Sequence, residues 1–531
     1  MRKLTHLSFI FGLIFSCFFS CENNFEDLNK NPFFPTQTEI GPLFNGVVQT
    51  LQLGWDEQFY LHNEALYGIT QLAALTEEAF QNISIGTEDV WKDYYSTLSN
   101  IRALERSFDE FDGDQESLNN VRAQVMVLKA YKTFKLTDLF GDIPYFNAGK
   151  GFESLEFLEP AFDDQEEIYK ALLTDLEWAA NNIDIDPAAL TNGNSPYVSF
   201  GSFDNLFESN LNLWVKFANS LRLKHAVRMV EVDPAFAEPI IQEIIDNKLP
   251  LIRAGEDVAL YPEKLDWQKA STHWSFREHN NLRLGSNIWN QLSDSNDPSG
   301  AGIFDPRAFI WFETNNEKEW NIYPQISTND DEPSGGFPYE GSRDIAYDVK
   351  GQQNIYAPFN YYLIRDDSQI PELLLTAAEV KFLEAEVYER GLGVAQDAGD
   401  ARSAYSLGVA TSIRFWQDLV ANTDIWINKP PILSEAEIQS IVNTNPKITI
   451  FGNSEPLKLI YVQRWLDNFR QPWEAYALTR RTMATPREGG PIEHFRFAYP
   501  PSESINNPAK WAEQVSKMGA DSPSAKVWWI N

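Results

Sequence analysis

The chain has 531 residues, of which 43% are apolar and 22% are charged, with 29 prolines and 28 glycines. These proportions exclude a disordered, a collagen-like and a coiled-coil protein, and the length is ample for burying a core. The net charge of −33 gives a surface that repels nucleic acid and anionic lipid headgroups. The composition therefore predicts a folded globular protein that does not bind nucleic acid.

The amino terminus has the pattern of an export signal. Arg2 and Lys3 precede an apolar run over residues 7–19, which is shorter than the roughly 20 residues that a membrane-spanning helix needs. The sequence has two cysteines, Cys17 and Cys21. A disulfide-stapled fold, a cysteine nucleophile and a zinc ribbon are therefore excluded.

The segment Phe18–Cys21 resembles a bacterial lipoprotein box, in which the cysteine is acylated and becomes the first residue of the mature protein. It departs from that box at Phe18, where leucine is more usual, and an ordinary signal peptide with an incidental thiol is the alternative. More than one acyl chain anchors a protein stably, because each buried methylene contributes about 0.8 kcal/mol. Acidic residues after Cys21 resemble the surface-export signal of Bacteroidetes lipoproteins.

These features divide the chain into three parts. We predict a lipoprotein signal peptide over residues 1–20 and a lipidated tether over residues 21–42, which is rich in asparagine, proline and acidic residues and has no periodic apolar pattern. Residues 43–531 are predicted to form a single domain.

Apolar stripes at helical spacing run along most of this domain. They cover Trp91 to Phe108, Val121 to Phe134 ending at Gly141, Ile168 to Ala179, Leu211 to His225, Leu375 to Ala385 ending near Gly391, and Leu459 to Phe469. Asp163 with Glu166, and Ser434 with Glu437, have the form of capping boxes that open helices. The pattern predicts a mainly α fold, a tetratricopeptide-like helical-repeat scaffold, with a non-repetitive α fold as the alternative.

Residues 253–362 break the helical pattern with prolines and glycines. They hold five of the 16 tryptophans and seven of the 20 tyrosines, more than their share of the length, which argues against disorder. We predict an irregular, loop-rich, ligand-facing insertion containing short strands, carried by a helical scaffold over residues 43–252 and 363–531.

Five segments in order resemble the SusD/RagB family of nutrient-binding outer-membrane lipoproteins, and more closely its SusD-like branch found in polysaccharide-utilisation loci. The segments are Asp27–Thr36 with its Asn-Pro step, Ala130–Tyr145 with its Phe-Gly-Asp turn, Asp305–Arg307 as the start of a strand, Thr376–Gly391 and Lys526–Trp529. The resemblance implies four tetratricopeptide-like helix pairs and a cell-surface, lipid-anchored location on the outer membrane. It also implies a partner, a TonB-dependent, SusC-like barrel that the protein covers as a hinged lid.

Catalytic signatures are missing from the sequence. There is no G-x-S-x-G elbow, no H-E-x-x-H and no Walker loop. His273 and His279 are close in sequence, but solvated loop histidines are favoured over a zinc site. The acidic runs at 294–297 and 330–332 lack EF-hand spacing, so a structural calcium ion has no support and no cofactor is predicted.

Sugar binding needs a flat apolar ring against the C–H side of a pyranose and polar groups at the edge of that ring. Candidate platforms in or beside the loops are Trp267, Trp274, Trp320, Tyr323, Tyr339 and Phe80. Candidate hydrogen-bonding groups at the rim are Asn82, Asn281 and Arg283. For each ring, packing inside the irregular region is the alternative.

The sequence thus predicts a non-catalytic surface lipoprotein that binds an oligosaccharide and delivers it to a TonB-dependent transporter. A surface glycoside hydrolase is one alternative, and a helical scaffold that binds only peptide or protein is another. The strongly negative surface slightly disfavours polyanionic ligands, and a local basic patch formed by Arg277 and Arg283 is the alternative that would favour them.

Replacing Cys21 with alanine is expected to release the protein from the membrane fraction, because the thiol that carries the lipid is lost. Cell fractionation with immunoblotting measures the effect. Cys17→Ala is the matched control and should stay with the membranes. A Cys21→Ala protein that still sediments with membranes would contradict the lipid anchor.

Overall fold

The computed structural model describes residues 40–76, 82–186, 199–264, 281–327, 355–364, 370–423, 426 and 429–531. In these ranges the secondary structure is mainly α-helical, and the four strands have two to four residues each. The predicted fold class is therefore confirmed.

The described ranges contain seventeen α-helices, one π-helix and five short 3₁₀ turns. The α-helices are α1 (Ile40–Gln49), α2 (Tyr67–Thr70), α3 (Ile83–Asp109), α4 (Asn119–Phe140), α5 (Gln165–Asn182), α6 (Leu211–Met229), α7 (Pro234–Asp246), α8 (Ser286–Leu292), α9 (Ala308–Trp311), α10 (Tyr361–Ile364), α11 (Ala377–Arg390), α12 (Ala398–Ala421), α13 (Glu435–Thr444), α14 (Pro456–Asp467), α15 (Pro472–Thr482), α16 (Pro501–Asn506) and α17 (Pro508–Met518). The π-helix, Glu57–Leu66, leads directly into α2. The 3₁₀ turns are Gln115–Leu118, Leu155–Leu158, Gly201–Phe203, Pro262–Lys264 and Asn468–Arg470.

The first helix begins earlier than predicted. α1 starts at Ile40, inside the segment 21–42 that the composition predicts to be a tether. Pro42 lies in the first turn, where its missing N–H costs no helical hydrogen bond. Phe44 and Val47 are fully buried, so packing of this apolar face extends the helix over the proline.

The predicted apolar stripes are the buried faces of the helices. Trp91, Leu98 and Ile101 of α3 are each at most 4% exposed. α4 ends at Gly141, whose φ of +83° is a conformation that glycine adopts without strain. Leu375 was predicted to start a helical stripe, but it ends a strand. The helix α11 begins after Thr376, whose hydroxyl accepts the N–H of Glu379 at 3.0 Å.

One of the two predicted capping boxes is present. Ser434 Oγ accepts the N–H of Glu437, and the Glu437 carboxylate accepts the N–H of Ser434 at 2.7 Å. The prediction for Asp163 is wrong. Its carboxylate accepts the N–H groups of Tyr145 and Phe146 at 2.8 and 2.9 Å. Asp163 therefore holds the turn after α4 instead of capping α5.

Helices that follow one another pack as pairs: α3 with α4, α5 with α6, α11 with α12, and α14 with α15. The first pair is antiparallel, since Tyr94 near the start of α3 bonds Thr133 near the end of α4 at 3.1 Å, while Lys129 of α4 meets Glu105 of α3. α6 also packs on α11 and so connects the two halves of the chain. These pairs confirm the helical-repeat scaffold.

Two small antiparallel sheets each join one strand of the segment 253–362 to a strand of the helical scaffold. β1 (Ala74–Leu75) pairs with β3 (Leu282–Arg283), and β2 (Val258–Leu260) pairs with β4 (Glu372–Leu375). The Asp305–Arg307 segment was expected to start a strand, and this expectation is wrong. The segment instead precedes α9. The Asp305 carboxylate accepts the backbone N–H of Arg307 and its guanidinium at 2.6–3.0 Å, which closes a turn that α9 continues.

A buried group of charged residues, here called the core ion network, joins five helices. Its members are Asp138 of α4, Lys224 and Arg228 of α6, Glu379 and Glu386 of α11, Arg464 of α14, and Glu474 and Arg481 of α15. Their side chains are at most 4% exposed.

The pairs of this network run continuously from one half of the chain to the other. Lys224 Nζ lies 3.0 Å from Glu379 and 2.6 Å from Glu474. Arg228 pairs with both Asp138 and Glu474. Trp529, near the carboxyl end of the sequence, is fully buried and donates its indole N–H to Asp138 at 2.7 Å.

Glu386 has the most donors of the carboxylates in this network. Arg481 donates two bonds to it at 2.6 and 2.7 Å, Arg390 one at 2.9 Å and the Tyr461 hydroxyl one at 3.1 Å. Burial alone would raise the pKa of Glu386, but the Arg481 guanidinium and its neighbours outweigh burial and lower the pKa to about 2.

Replacing Glu386 with glutamine is expected to lower the free energy of unfolding by about 3–5 kcal/mol, because buried guanidinium groups lose their counter-charge. Chemical denaturation measures the change. The control is Glu389→Gln on the same helix, at a half-buried glutamate with no ion pair among the described residues. That control should change stability by less than about 0.5 kcal/mol.

The same difference is expected to depend on pH. Because the folded-state pKa lies below the ordinary value of 4.5, the contribution of the ionised carboxylate is complete above pH 4.5 and is lost as the pH falls toward 2. The stability difference between wild type and Glu386→Gln should therefore shrink over that range. A difference independent of pH would contradict the ion-pair explanation.

Candidate ligand-binding site

Four stretches that are distant in sequence meet in one small arrangement, here called the loop junction (residues 73–76, 281–286, 320–325 and 356–358). β1 pairs with β3, so Leu75 lies opposite Leu282. Tyr323 forms a parallel bridge with Gly285 and donates its N–H to the carbonyl of Leu284 at 2.9 Å. The N–H of Leu284 donates in turn to Ala357 at 2.8 Å.

The loops that carry the predicted ring platforms start or end at this junction. Thr76 precedes segment 77–81, Asn281 follows segment 265–280, and the N–H of Thr76 donates to the Asn281 carbonyl at 3.0 Å. Asn321 and Ala357 lie on the two sides of segment 328–354 and are joined by a 2.7 Å bond. Phe80, Trp267, Trp274 and Tyr339 themselves lie outside the described residues.

The two predicted platforms that the structure describes are not open rings. Trp320 is 7% exposed and stacks on Trp289 with ring centroids 5.7 Å apart. Tyr323 is 2% exposed and meets Tyr356 edge to face at 4.8 Å. The expectation of exposed faces at these two positions is therefore corrected, because both rings are buried among the described residues.

The three predicted rim residues differ in exposure. Asn82 is exposed and stands just before α3, where its carbonyl accepts the N–H of Ile85 at 2.9 Å. Asn281 is half-buried. Arg283 is fully buried and donates to the carbonyl of Leu282 at 2.9 Å. The guanidinium of Arg283 is thus an internal group of the junction, contrary to the expectation of a rim position.

Gly285 allows the strands of the junction to approach closely. A Cβ at this position would lie 2.5 Å from the side-chain oxygen of Gln325 and 3.0 Å from the backbone nitrogen of Ala74. Gln325 donates its amide to the carbonyl of Ala73 at 3.2 Å, and its backbone N–H donates to Ser286 Oγ at 2.9 Å. The side chain of Gln325 therefore has a defined position at the edge of the junction.

An open cleft of about 570 Å³ adjoins the loop junction. Leu75 and Gln325 line it from the junction, Gly68 and Ile69 line it from α2, and the loop 487–494 closes the other side. The loop is held by Arg487, which donates to the carbonyls of Ile69 at 2.5 Å and Gly490 at 2.9 Å.

The polar side chains of Gln325, Glu493 and His494 line this cleft. The side-chain oxygen of Gln325 is buried and accepts no hydrogen bond among the described residues. Glu493 is exposed and has no ion pair in the same ranges. Burial lowers the pKa of His494 to about 4, so its imidazole is neutral at neutral pH. The exposed Glu493 carboxylate can accept hydrogen bonds from the hydroxyls of a ligand.

No pattern in the sequence indicated that residues 487–494 lie at the site. They lie far along the chain from the predicted loops, and the adjacent Gly489, Gly490 and Pro491 indicate only a turn. Their position follows from tertiary packing against α2.

The described lining of the cleft has one carboxylate, Glu493. Hydrolysis of a glycosidic bond generally needs two carboxylates on opposite sides of it. No cluster of three or more metal-binding side chains occurs in the described parts of the chain. The described geometry thus supports binding through hydrogen bonds and apolar contact.

Comparison with known proteins gives the family. Residues 32–486 match the SusD-like family described as starch-binding and associating with the outer membrane, and the chain belongs to this family. No curated protein matches the chain. Membership places the protein in an outer-membrane-associated, carbohydrate-binding class. In the ranges that the structure describes, no helix has the length and apolar content needed to cross a membrane.

Solved structures share the fold over almost the whole chain. A chitin-binding protein is 21% identical with a TM-score of 0.71, and the match covers 93% of this chain and 100% of that one. A SusD homologue from Parabacteroides distasonis is 19% identical (TM-score 0.71, coverage 93% and 98%). A chitin-binding SusD homologue from Flavobacterium johnsoniae is 20% identical (TM-score 0.64, coverage 93% and 98%).

Trp320→Ala is expected to lower the free energy of unfolding by about 3–5 kcal/mol, because it removes a buried ring stacked on Trp289. Chemical denaturation measures the effect, and Phe451→Ala, at a ring that is 55% exposed, is the control with little change. A stable Trp320→Ala protein that has lost ligand affinity would restore Trp320 as a binding platform.

Proposed function

We propose that the protein is a non-catalytic, cell-surface lipoprotein that binds an oligosaccharide at the loop junction and passes it to a TonB-dependent outer-membrane transporter. The observation that carries the proposal is that described residues on either side of the ring-bearing segments 77–81, 265–280 and 328–354 meet at one junction beside an open cleft. A family described as starch-binding supports a glycan as the ligand.

The architecture suits recognition of a flexible, hydroxyl-rich ligand. The core ion network and the packed helix pairs make a rigid frame, and the loops that leave it carry Trp267, Trp274, Tyr339 and Phe80 as the proposed stacking rings. Ring faces supply apolar contact with the sugar, and the Glu493 carboxylate accepts hydrogen bonds from its hydroxyls. Two further polar contacts are proposed. Asn82 follows segment 77–81, and Asn281 is the residue whose carbonyl accepts the N–H of Thr76.

The lipid anchor and the transporter belong to the proposal as well. Acylation of Cys21 leaves residues 21–39 between the membrane and α1. A chain of that length reaches at most about 65 Å when fully extended, which is long enough for a tethered lid to open above a barrel. The partner is proposed to be a SusC-like barrel on the basis of the family resemblance.

Chitin and starch are the ligand types that the comparisons name for relatives, and binding of a neutral glycan agrees with the net charge of −33. A negatively charged surface repels uronates and sulfated sugars at a distance. A panel of neutral glycans is therefore the first choice for identifying the ligand.

The purified mature chain carrying Cys21→Ala is expected to retain at least one glycan on a glycan array and to release no product from it. Isothermal titration with the retained glycan should then show affinity about tenfold weaker for Glu493→Ala, because this variant loses a hydrogen-bond acceptor worth about 1.5 kcal/mol. The control is Glu238→Ala, at an exposed glutamate of α7, which should bind like wild type.

Three results would contradict the proposal. Release of shortened glycan would identify a hydrolase. Retention of peptides with no glycan bound would identify a peptide- or protein-binding scaffold. Loss of the barrel from affinity purifications of the lipidated protein, with glycan binding intact, would remove the transporter partner but leave the binding function.

A further inference from the structure

A second and larger cleft lies apart from the loop junction. It has a volume of about 1170 Å³ and runs between the turn before α6, the segment around β2 and the second half of α12. It shares no described lining residue with the cleft beside the junction. Pockets for small ligands measure about 300–1,000 Å³, so this cleft has room for an oligosaccharide of several rings.

One wall of this cleft carries an open aromatic ring. Tyr261, directly after β2, is 38% exposed, and no ring from the described residues stacks on it. Asn205 and Asn422 also line the cleft. The amide of Asn205 donates to the carbonyl of Lys264 at 3.1 Å, and Asn422 is exposed. A flat ring with planar amides nearby meets the physical requirement for holding a sugar.

The charges of the cleft restrict what it accepts. The described lining has five carboxylates and two cations. Both cations are already paired, Lys264 with Glu208 and Arg414 with Glu435. The remaining lining carboxylates without a cationic partner among the described residues are Asp257, Glu263 and Asp418. Burial raises the pKa of Asp257 to about 6, as expected for a carboxylate with no cation beside it.

We propose that this cleft is a second saccharide-binding site, in which sugar rings stack on Tyr261, and that it accepts neutral and amine-bearing oligosaccharides and rejects uronate and sulfated ones. The inference rests on the proposed function for the class of ligand, and it adds a separate site with its own selectivity. Acidic side chains repel anionic sugars and attract protonated amines. The Tyr261 ring and the asparagine amides make the same contacts with neutral, amine-bearing and anionic sugars, so the charge decides which of them binds.

Hydrogen-exchange mass spectrometry on the mature chain carrying Cys21→Ala locates the site. Three hexasaccharides of matched length are the probes: glucosamine, N-acetylglucosamine and galacturonic acid oligomers. The first two are expected to slow exchange in peptides covering residues 254–264 and 411–422. The galacturonic acid oligomer is expected to leave exchange there unchanged.

Variants of Tyr261 test the stacking. Tyr261→Ala should weaken binding at this cleft about tenfold by calorimetry, while Tyr261→Phe, which keeps the ring, should bind within about twofold of wild type. Because the ring is partly exposed and has no stacking partner in the described part of the chain, the melting temperature should remain close to that of wild type. Phe451→Ala, at an exposed ring elsewhere, is the control and should bind normally.

The outcomes separate this inference from the proposed function. Protection confined to peptides of the loop junction overturns the second site and leaves the proposed function standing. Protection at the cleft that is lost in Tyr261→Ala supports the second site, whether or not the junction is protected. The absence of protection with every probe, equal protection by the galacturonic acid oligomer, or binding unaffected by Tyr261→Ala overturns the second site.

Discussion

The structure depends on charges that are paired inside the protein. Two cations of α6, Lys224 and Arg228, reach carboxylates on three other helices of the described fold. Removing such charges from water costs several kcal/mol for each ion, and only close counter-charges and hydrogen bonds repay it. The helices must therefore stand in one relative position, since a shift of a few ångströms would leave buried charges without partners. We interpret the core ion network as the constraint that fixes how the two halves of the chain meet.

Because the core ion network holds the helices in one relative position, the points at which the loops leave the helices are also held in position. β2 and β4 pair where the Asp257 carboxylate accepts the N–H of Ala377 at 2.8 Å, at the start of α11. α11 carries two carboxylates of the network, so this sheet and the network are attached to the same helix. The loop junction instead rests on α2 and on the loop held by Arg487. Each proposed ligand site thus has its own attachment to the frame, and sequence can change in the loops while the packing of the helices stays constant.

The sequence predicted the helices better than the site, for a physical reason. The buried face of a helix can be predicted from a short stretch of sequence, because its apolar residues recur every three or four positions. This spacing alone predicted the buried faces of α3 to α6 and of α14. The errors arose where a distant partner decides. Asp163 bonds the turn at Tyr145 instead of its own helix, and Trp320 is covered by Trp289. The core ion network likewise could not be predicted from the sequence. Charged residues such as Lys224 and Glu379 are usually exposed to solvent, and their burial follows from how the helices pack. Anchoring of the aromatic loops at one junction was found only in the structure.

The position of Trp529 has a consequence for how the protein matures. Its indole N–H bonds Asp138, a residue almost 400 positions earlier in the chain, and the ring is sealed from water. This contact cannot form until Trp529 has been synthesised, so Asp138 gains this partner late. A polypeptide that crosses a membrane through a narrow channel must remain unfolded until it arrives. For the export that we propose, a contact that forms late would help to keep the chain unfolded until translocation is complete.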